Sequence, residues 1–540
     1  MWFLNKTSPH VTRTVETIGI LLFVLVVFGP LIALLCELAA AYQKDFSHLA
    51  PYLLLAGKRP RLLLSTIGLS AAVTFTCTVV GTLAASFFWQ RNRGIYRYLK
   101  WALLALISLP AYIHALSWMW VISWTNAALT KSGLMGIPLY GWADCFWVEC
   151  MAFVPYSYGF ALVGFGVVER VLVDVSRTMR EDLDTFLHVV IPQAAPLILS
   201  GAALVFFLSI ADYSVPSLFS VTVYPLEIFA EFAASGDIPV TFALTVPLLV
   251  VSILILVMSQ SIFRSAALHI TRKGDVVRPQ LVLPTWLGRI QVCAVVLLCL
   301  HVLVPFTVLS ILIRSFNDFV ISVAAASQEL TFTALTASIA AIVCLPLAYF
   351  PAKRIAAHQK RGRLSWFLIT IPLAVPAPVI GIGLLAMAGC APFVHHLYGT
   401  TSITAWASLA RFTVFAVIMI AAGMRRTDRH LIDAVHVHQR SSVHGFLTGT
   451  LPMLLPYFLS AGFLTFILTA GELGATLLVA PPGRATLTMR IYNYLHYGAS
   501  SDVAGLSLLV AIMSSLTFFG IVALFSKRRS TKRLIVQTHD

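Results

Sequence analysis

Apolar runs of about twenty residues recur from one end of this chain to the other, and no other feature limits its fold so tightly. A helix needs ~20 apolar residues to cross the ~30 Å hydrocarbon core of a bilayer. Inside lipid every backbone N–H and C=O must be satisfied within the structure, so such runs are helices. They read as about twelve spans, at 15–42, 62–89, 100–124, 146–168, 194–215, 239–263, 288–313, 331–352, 365–389, 402–423, 453–474 and 502–526. Composition agrees: 59% of the 540 residues are hydrophobic and only 11% are charged, with a mean hydropathy of +0.88. A soluble fold with so little charge cannot cover its exterior. The expected class is therefore an all-α integral membrane protein.

The formal charge of +15 raises the question of nucleic acid. The basic residues instead form short clusters between apolar runs, such as Arg91, Arg93, Arg97 and Lys100, or Lys353, Arg354, Lys360, Arg361 and Arg363. No aromatic-interleaved basic stripe accompanies them, so no nucleic-acid partner is expected. Lys and Arg orient membrane helices by gathering on the cytoplasmic side. A cytoplasmic N-terminus puts most of them there, including the last run Lys527, Arg528, Arg529, Lys532 and Arg533. Lys58, Arg59 and Arg61 are the exception, falling outside before the second span. Both termini are then cytoplasmic, and Thr17–Ala41 is long enough to read as an uncleaved signal anchor.

The eight cysteines form no C-x-x-C pair and mostly sit within apolar runs, where they read as small hydrophobes. Cys145 and Cys150, near an outer helix end, leave a disulfide open. His114 and His301, each alone on an apolar run, read as core residues rather than ligands. There is no G-x-x-x-x-G-K-[ST] phosphate loop, no H-E-x-x-H and no other catalytic constellation. The chain is not expected to be an enzyme or to hold a cofactor or metal.

A polar, basic stretch at 264–287 divides the chain. The expected organisation is an N-terminal six-helix repeat (1–263), this cytoplasmic linker, a C-terminal six-helix repeat (288–526) and a basic tail (527–540). Three matches support it. The third span of each half carries a Pro-Ala step, at Pro110-Ala111 and Pro376-Ala377. A polar segment joins spans four and five in each half and closes on Ile191-Pro192 or Leu451-Pro452. Asp212 follows Pro192 at the separation at which Glu472 follows Pro452.

Those polar segments, 171–192 and 431–452, repeat apolar residues at helical spacing: Val175, Met179, Leu183, Phe186 and Leu187, then Val435, Val443, Phe446 and Leu447. That is the pattern of a short amphipathic helix lying across a membrane face. They resemble the EAA loop of type I ABC importer permeases, in a double-length form with two tandem repeats. Aligned on the proline, Asp433, Ala434 and Val435 stand at the E-A-A positions and Gln439 at the glycine; in the first copy Val173, Asp174, Val175 and Met179 do so. The run from Gly471-Glu472-Leu473-Gly474 to Tyr492 is similar to permeases for ferric iron, 2-aminoethylphosphonate and thiamine.

The resemblance implies that each segment is a coupling helix gripped by a separate ATPase, with Asp433 and Arg440 setting its register. It implies two copies of a cytoplasmic ABC ATPase and a periplasmic or lipid-anchored solute-binding protein as partners, in a bacterial inner membrane. Asp212 and Glu472 then line the translocation path or its gate, or instead cap helix ends or pair with Arg411. Pro110 and Pro376 are further pathway candidates. Ferric iron is the leading substrate. The competing expectation is a secondary transporter of six plus six helices, which requires buried ionisable residues for ion coupling.

Overall fold

The computed structural model describes residues 9–44, 46–53, 55–136, 140–269, 281–313, 315–357, 362–438, 442–497 and 501–537. Among them there is helix and no strand. Twelve helices carry the architecture: α1 (Pro9–Lys44), α2 (Arg59–Gln90), α3 (Ala111–Lys131), α4 (Trp142–Gly166), α5 (Ile191–Ile210), α6 (Ile238–His269), α7 (Thr285–Leu312), α8 (Ser327–Ala357), α9 (Ala377–Cys390), α10 (Thr401–Arg426), α11 (Leu451–Ala470) and α12 (Ser501–Gln537).

Ten of these are long and apolar enough to cross a membrane, or eleven with one bent pair counted as a span, among the described residues. The shortfall from about twelve falls on the two spans that carry a Pro-Ala step. Proline lacks an N–H and forces the residue before it out of the helical region. Accordingly 103–109 runs as successive turns before α3 starts at Ala111, and α3, which carries His114, Asn126 and three tryptophans, is not apolar enough to count as a span. In the later copy Ser365–Ala374 and α9 meet at 101° across Val375 and Pro376. Both prolines have extended backbone and sit just before a helix, the place where a missing N–H costs nothing. The spans expected at 194–215 and 453–474 also end early, at Ile210 and Ala470, so both acidic residues lie in the loops beyond.

Helix partners recur at a six-helix interval. α2 packs on α4 and α5, and α8 packs on α10 and α11. The first helix of each set crosses to the other: α1 lies against α6, α8 and α9, whereas α7 lies against α12, α2 and α3. The sets are therefore interlocked rather than side by side. Lipid supplies no hydrophobic drive between helices, so close backbone approach has to hold them. Gly81 on α2 shows this, since a Cβ there would lie 2.6 Å from the Tyr158 amide nitrogen of α4. Only glycine permits that crossing.

The basic cluster before α2 has an electrostatic explanation. Lys58 pairs with Glu227 at 3.0 Å, and Arg59 lies 4.0 Å from Glu231 and over the Tyr52 ring. Both carboxylates belong to the helix Tyr224–Ser235, so the cluster ties the start of α2 to that helix. Residues 270–280 of the expected linker lie outside the described residues; α6 continues to His269, and the chain resumes at Leu281.

Candidate functional site

The loops that follow α5 and α11 meet both proline breaks in the interior of the bundle. After α5, Asp212 turns its carboxylate onto the next helix, Ser214–Leu218: Oδ1 accepts from the Ser214 amide at 3.0 Å and hydroxyl at 2.7 Å, and Oδ2 from the Val215 amide at 3.3 Å. After α11, Glu472 Oε1 accepts from the Ala475 amide at 2.8 Å at the start of Thr476–Val479. A carboxylate satisfies orphan amides and the positive end of a helix, which explains an acid at the same place in each loop. Glu472 has a further partner: Arg411 on α10 donates from Nη1 to its Oε2. Glu472 is buried, and the Arg411 side chain is a quarter exposed. Asp212 also lies within electrostatic reach of Arg411.

The second loop touches the proline breaks of both sets, at Pro110 in one and at Ala377, next to Pro376, in the other. A Cβ on Gly471 would stand 3.1 Å from Pro110 Cγ, and one on Gly474 would stand 2.6 Å from Ala377 Cβ. Three tyrosines close the cluster. Tyr112, two residues after Pro110, meets Tyr492 edge-on at 6.2 Å. Tyr213 stacks on Phe229 at 5.5 Å and meets Tyr492 at 6.5 Å. Tyr492 and Ser217 share a 2.8 Å hydrogen bond. The Tyr112 and Tyr213 hydroxyls are buried without a hydrogen-bond partner among the described residues, and Glu472 is in electrostatic reach of each. The cluster thus combines two carboxylates, one guanidinium and two unpaired phenols, and it can exchange hydrogen bonds without chemistry.

Two features of the interior escaped the sequence reading. Glu149 on α4 is fully buried, and its Oε2 accepts from Ser209 Oγ at 2.5 Å. A lone carboxylate inside the run 146–168 was the available signal. His114 and His301 are not isolated from one another: their rings stack at 5.1 Å, and His301 Nδ1 lies 3.0 Å from the Met151 carbonyl. Both ring nitrogens of His114 lack a hydrogen-bond partner among the described residues. Cys145 and Cys150 are free thiols, and no group of three or more metal-ligating side chains occurs among the described residues.

The polar connections lie apart from this cluster. The first is a short helix Arg170–Arg177, a turn, the single turn Asp182–Thr185 and a π-helical turn Phe186–Val190 leading into α5. The expected single amphipathic helix is thus broken into short pieces. Phe186 is buried and stacks on Phe165, so it anchors the connection rather than presenting an exposed face. Asp174 pairs with Arg170 at 3.0 Å, Arg177 with Asp182 at 2.8 Å, and Arg180 with Asp184 at 3.2 Å. Val171, Leu172, Val175 and Met179 remain exposed, Met179 at 86%. The second connection repeats the order: Arg429–His438, Ser442–Gly445 and a π-helical turn Phe446–Thr450 before α11. Ala434, Leu431 and Val437 are exposed there, Val437 at 79%. Asp433 lies on that helix, while Gln439 and Arg440 fall outside the described residues.

No family model matches the chain. An Fe(3+)-transport system permease protein of Haemophilus influenzae is 24% identical over 479 residues, covering 85% of this chain and 90% of that protein. A putrescine transport system permease protein of Escherichia coli is 26% identical over 223 residues, 40% of this chain and 73% of its own length. A protein of Salmonella typhimurium named for 2-aminoethylphosphonate transport as a system permease is 28% identical over 201 residues, 36% of this chain and 74% of its own length. These relatives are permeases of ABC transport systems, non-enzymatic components for small solutes. This chain resembles them as a double-length, multi-pass membrane permease.

Proposed function

We propose that this chain is the whole translocation subunit of a binding-protein-dependent ABC importer, built as two six-helix repeats (1–263 and 288–526) joined by the 264–287 linker and followed by a basic tail. Two ATPase subunits grip the connections before α5 and α11, and a separate binding protein delivers the solute on the opposite side. Both termini lie in the cytoplasm, in the inner membrane of a bacterium.

The observation that carries this reading is the matched pair of connections, each ending in a π-helical turn and a proline and each leaving large apolar side chains exposed. An exposed apolar knob on a charged frame is what a soluble motor can hold: burial of Met179 or Val437 supplies affinity, and surrounding charges fix register. Asp174 belongs to that frame through Arg170, and Asp433, Ala434, Gln439 and Arg440 are assigned to the second contact.

The cluster of Asp212, Glu472, Arg411 and the tyrosines beside Pro110 and Pro376 serves as the gate. Alternating access there is a change of partners: the loops slide against the broken helices while Arg411 moves between carboxylates. Two carboxylates against one guanidinium leave the cluster suited to a cation. With the long match to a ferric-iron permease, that favours ferric iron as cargo.

The test uses Met179→Asp with Val437→Asp in the complex expressed with its neighbouring ATPase and binding protein. Both sites are exposed, so the charges leave the permease itself folded, and substrate-stimulated ATP hydrolysis should fall at least tenfold. Unchanged stimulation in the double variant would remove the connections from the coupling role.

A further inference from the structure

Glu149 is an acid for which neither the gate cluster nor the connections have a use. It lies fully buried on α4, one of the helices long and apolar enough to cross a membrane. An ionisable side chain in such a helix is costly and marks a function. Its contacts are few. Oε2 accepts from Ser209 Oγ on α5 at 2.5 Å, and Oε1 lies 3.9 Å from the Cys145 thiol of its own helix. No basic side chain pairs with it among the described residues.

The two ends of the Ser209 bond give it a use. α4 and α5 pack as an antiparallel hairpin that the first connection, 170–190, closes at one end. Along the hairpin the helices touch closely: a Cβ on Gly164 would stand 3.0 Å from the Ala194 carbonyl oxygen, and one on Gly201 2.7 Å from Phe160 Cβ. The Glu149–Ser209 bond closes the far end, ~27 Å along α5 from Ile191. Ser209 is also the last anchor of the first gate loop, because its carbonyl accepts the Asp212 amide at 3.1 Å. Its side chain is therefore tied to α4 and its main chain to the acid of that loop.

The second set shows that the fold itself does not demand this acid. The spacing that relates Asp212 to Glu472 relates Ser209 to Thr469 and Glu149 to Leu409. The Thr469 carbonyl again accepts the amide of the loop acid, Glu472, at 3.1 Å. Leu409 is apolar and buried, and the Thr469 hydroxyl has no hydrogen-bond partner among the described residues. Here α10 holds the loop differently, through Arg411 and the Glu472 carboxylate. The fourth helix of each set thus grips its own loop, by a hydrogen bond in the first and an ion pair in the second.

We infer that Glu149 is the positioning residue of the first gate loop, and that its bond to Ser209 makes the α4–α5 hairpin a rigid lever from the first connection to Asp212. This rests on the gate and coupling roles proposed above. Tied at both ends, the hairpin carries a displacement of the connection to the loop without splaying. The bond does not involve Arg411, so it holds while that guanidinium changes partners, and the second loop is the one released.

The test uses the full-length permease reconstituted with its neighbouring ATPase and binding protein. The readout is the ratio of binding-protein-stimulated to unstimulated ATP hydrolysis, which does not depend on how much complex folds. Glu149→Leu and Ser209→Ala should each lower the ratio at least about fivefold, the low end of a typical coupling between two sites. Glu149→Gln keeps an acceptor for Ser209 and should stay within about twofold of the parent. The double variant Glu149→Leu/Ser209→Ala should lose no more than either single change, because one bond is at stake. Asp212→Asn reports on the gate separately. A parental ratio in Glu149→Leu and Ser209→Ala with a lowered one in Asp212→Asn overturns the lever and leaves the gate standing. Parental ratios in all three remove the gate role itself. A loss in Glu149→Gln equal to that in Glu149→Leu, or losses that multiply in the double variant, overturn the hydrogen bond as the positioning contact.

Discussion

Removing the Arg411 guanidinium should destabilise the fold far more than removing both members of its ion pair. In Arg411→Met the buried Glu472 carboxylate keeps only the Ala475 amide among its side-chain partners. Breaking a buried pair from one side costs about 3–5 kcal/mol. The quarter exposure of Arg411 lets water reach the site, and the Ala475 bond survives, so the lower end applies: about 3 kcal/mol, or roughly a hundredfold in the unfolding constant. Glu472→Gln keeps the Ala475 bond and leaves Arg411 near Asp212, costing about 1–2 kcal/mol. The double variant orphans neither charge and should also cost about 1–2 kcal/mol, well below the sum. The assay is unfolding in mixed micelles of dodecyl sulfate and a mild detergent, followed through the fluorescence of the 11 tryptophans. Additivity of the single costs to within about 0.5 kcal/mol would show that the two side chains act independently.

Gly81→Ala should cost about 1–3 kcal/mol, because its Cβ meets the α4 backbone rather than a movable side chain, whereas Gly68→Ala on the same helix, with no atom within 4 Å, should be neutral or stabilising by up to about 1 kcal/mol in the same unfolding assay. Glu149→Gln should retain stability, since an amide oxygen still accepts from Ser209, while Glu149→Leu leaves that hydroxyl facing only Ser70 at 3.2 Å and should cost about 1–2 kcal/mol. Pro376→Ala restores an amide at the 101° bend and should straighten Ser365–Cys390, slowing transport by the reconstituted complex more than it lowers stability; transport at the parental rate would detach the bend from the gate.

Much of the architecture was legible because lipid demands long apolar runs, and ten of the expected spans appear as unbroken helices. The other two failed for a reason already written in Pro110 and Pro376: hydropathy registers apolar content but not the missing proline N–H. The matched acids Asp212 and Glu472 were visible as a repeat, but not their cap bonds, because these depend on where α5 and α11 stop. Hydropathy carried the runs on to the acids, whereas the helices end at Ile210 and Ala470. The alternatives of capping a helix and meeting Arg411 turned out to coexist on Glu472. Glu149 and Ser209, 60 positions apart, and the stacked His114 and His301 were invisible as partners, since only the fold brings residues so far apart in sequence together. The amphipathic pattern in the connections marked their apolar residues but could not separate the buried anchor Phe186 from exposed Met179.

The most direct test of the proposed role is the side of the membrane on which Met179 and Val437 lie. In a variant lacking the eight native cysteines, single cysteines at these positions are exposed to a membrane-impermeant maleimide in intact cells and in inverted vesicles. The expected result is labelling only in inverted vesicles, with protection when the ATPase is bound. Labelling of either position in intact cells would put it beyond the reach of any cytosolic motor and contradict the assignment.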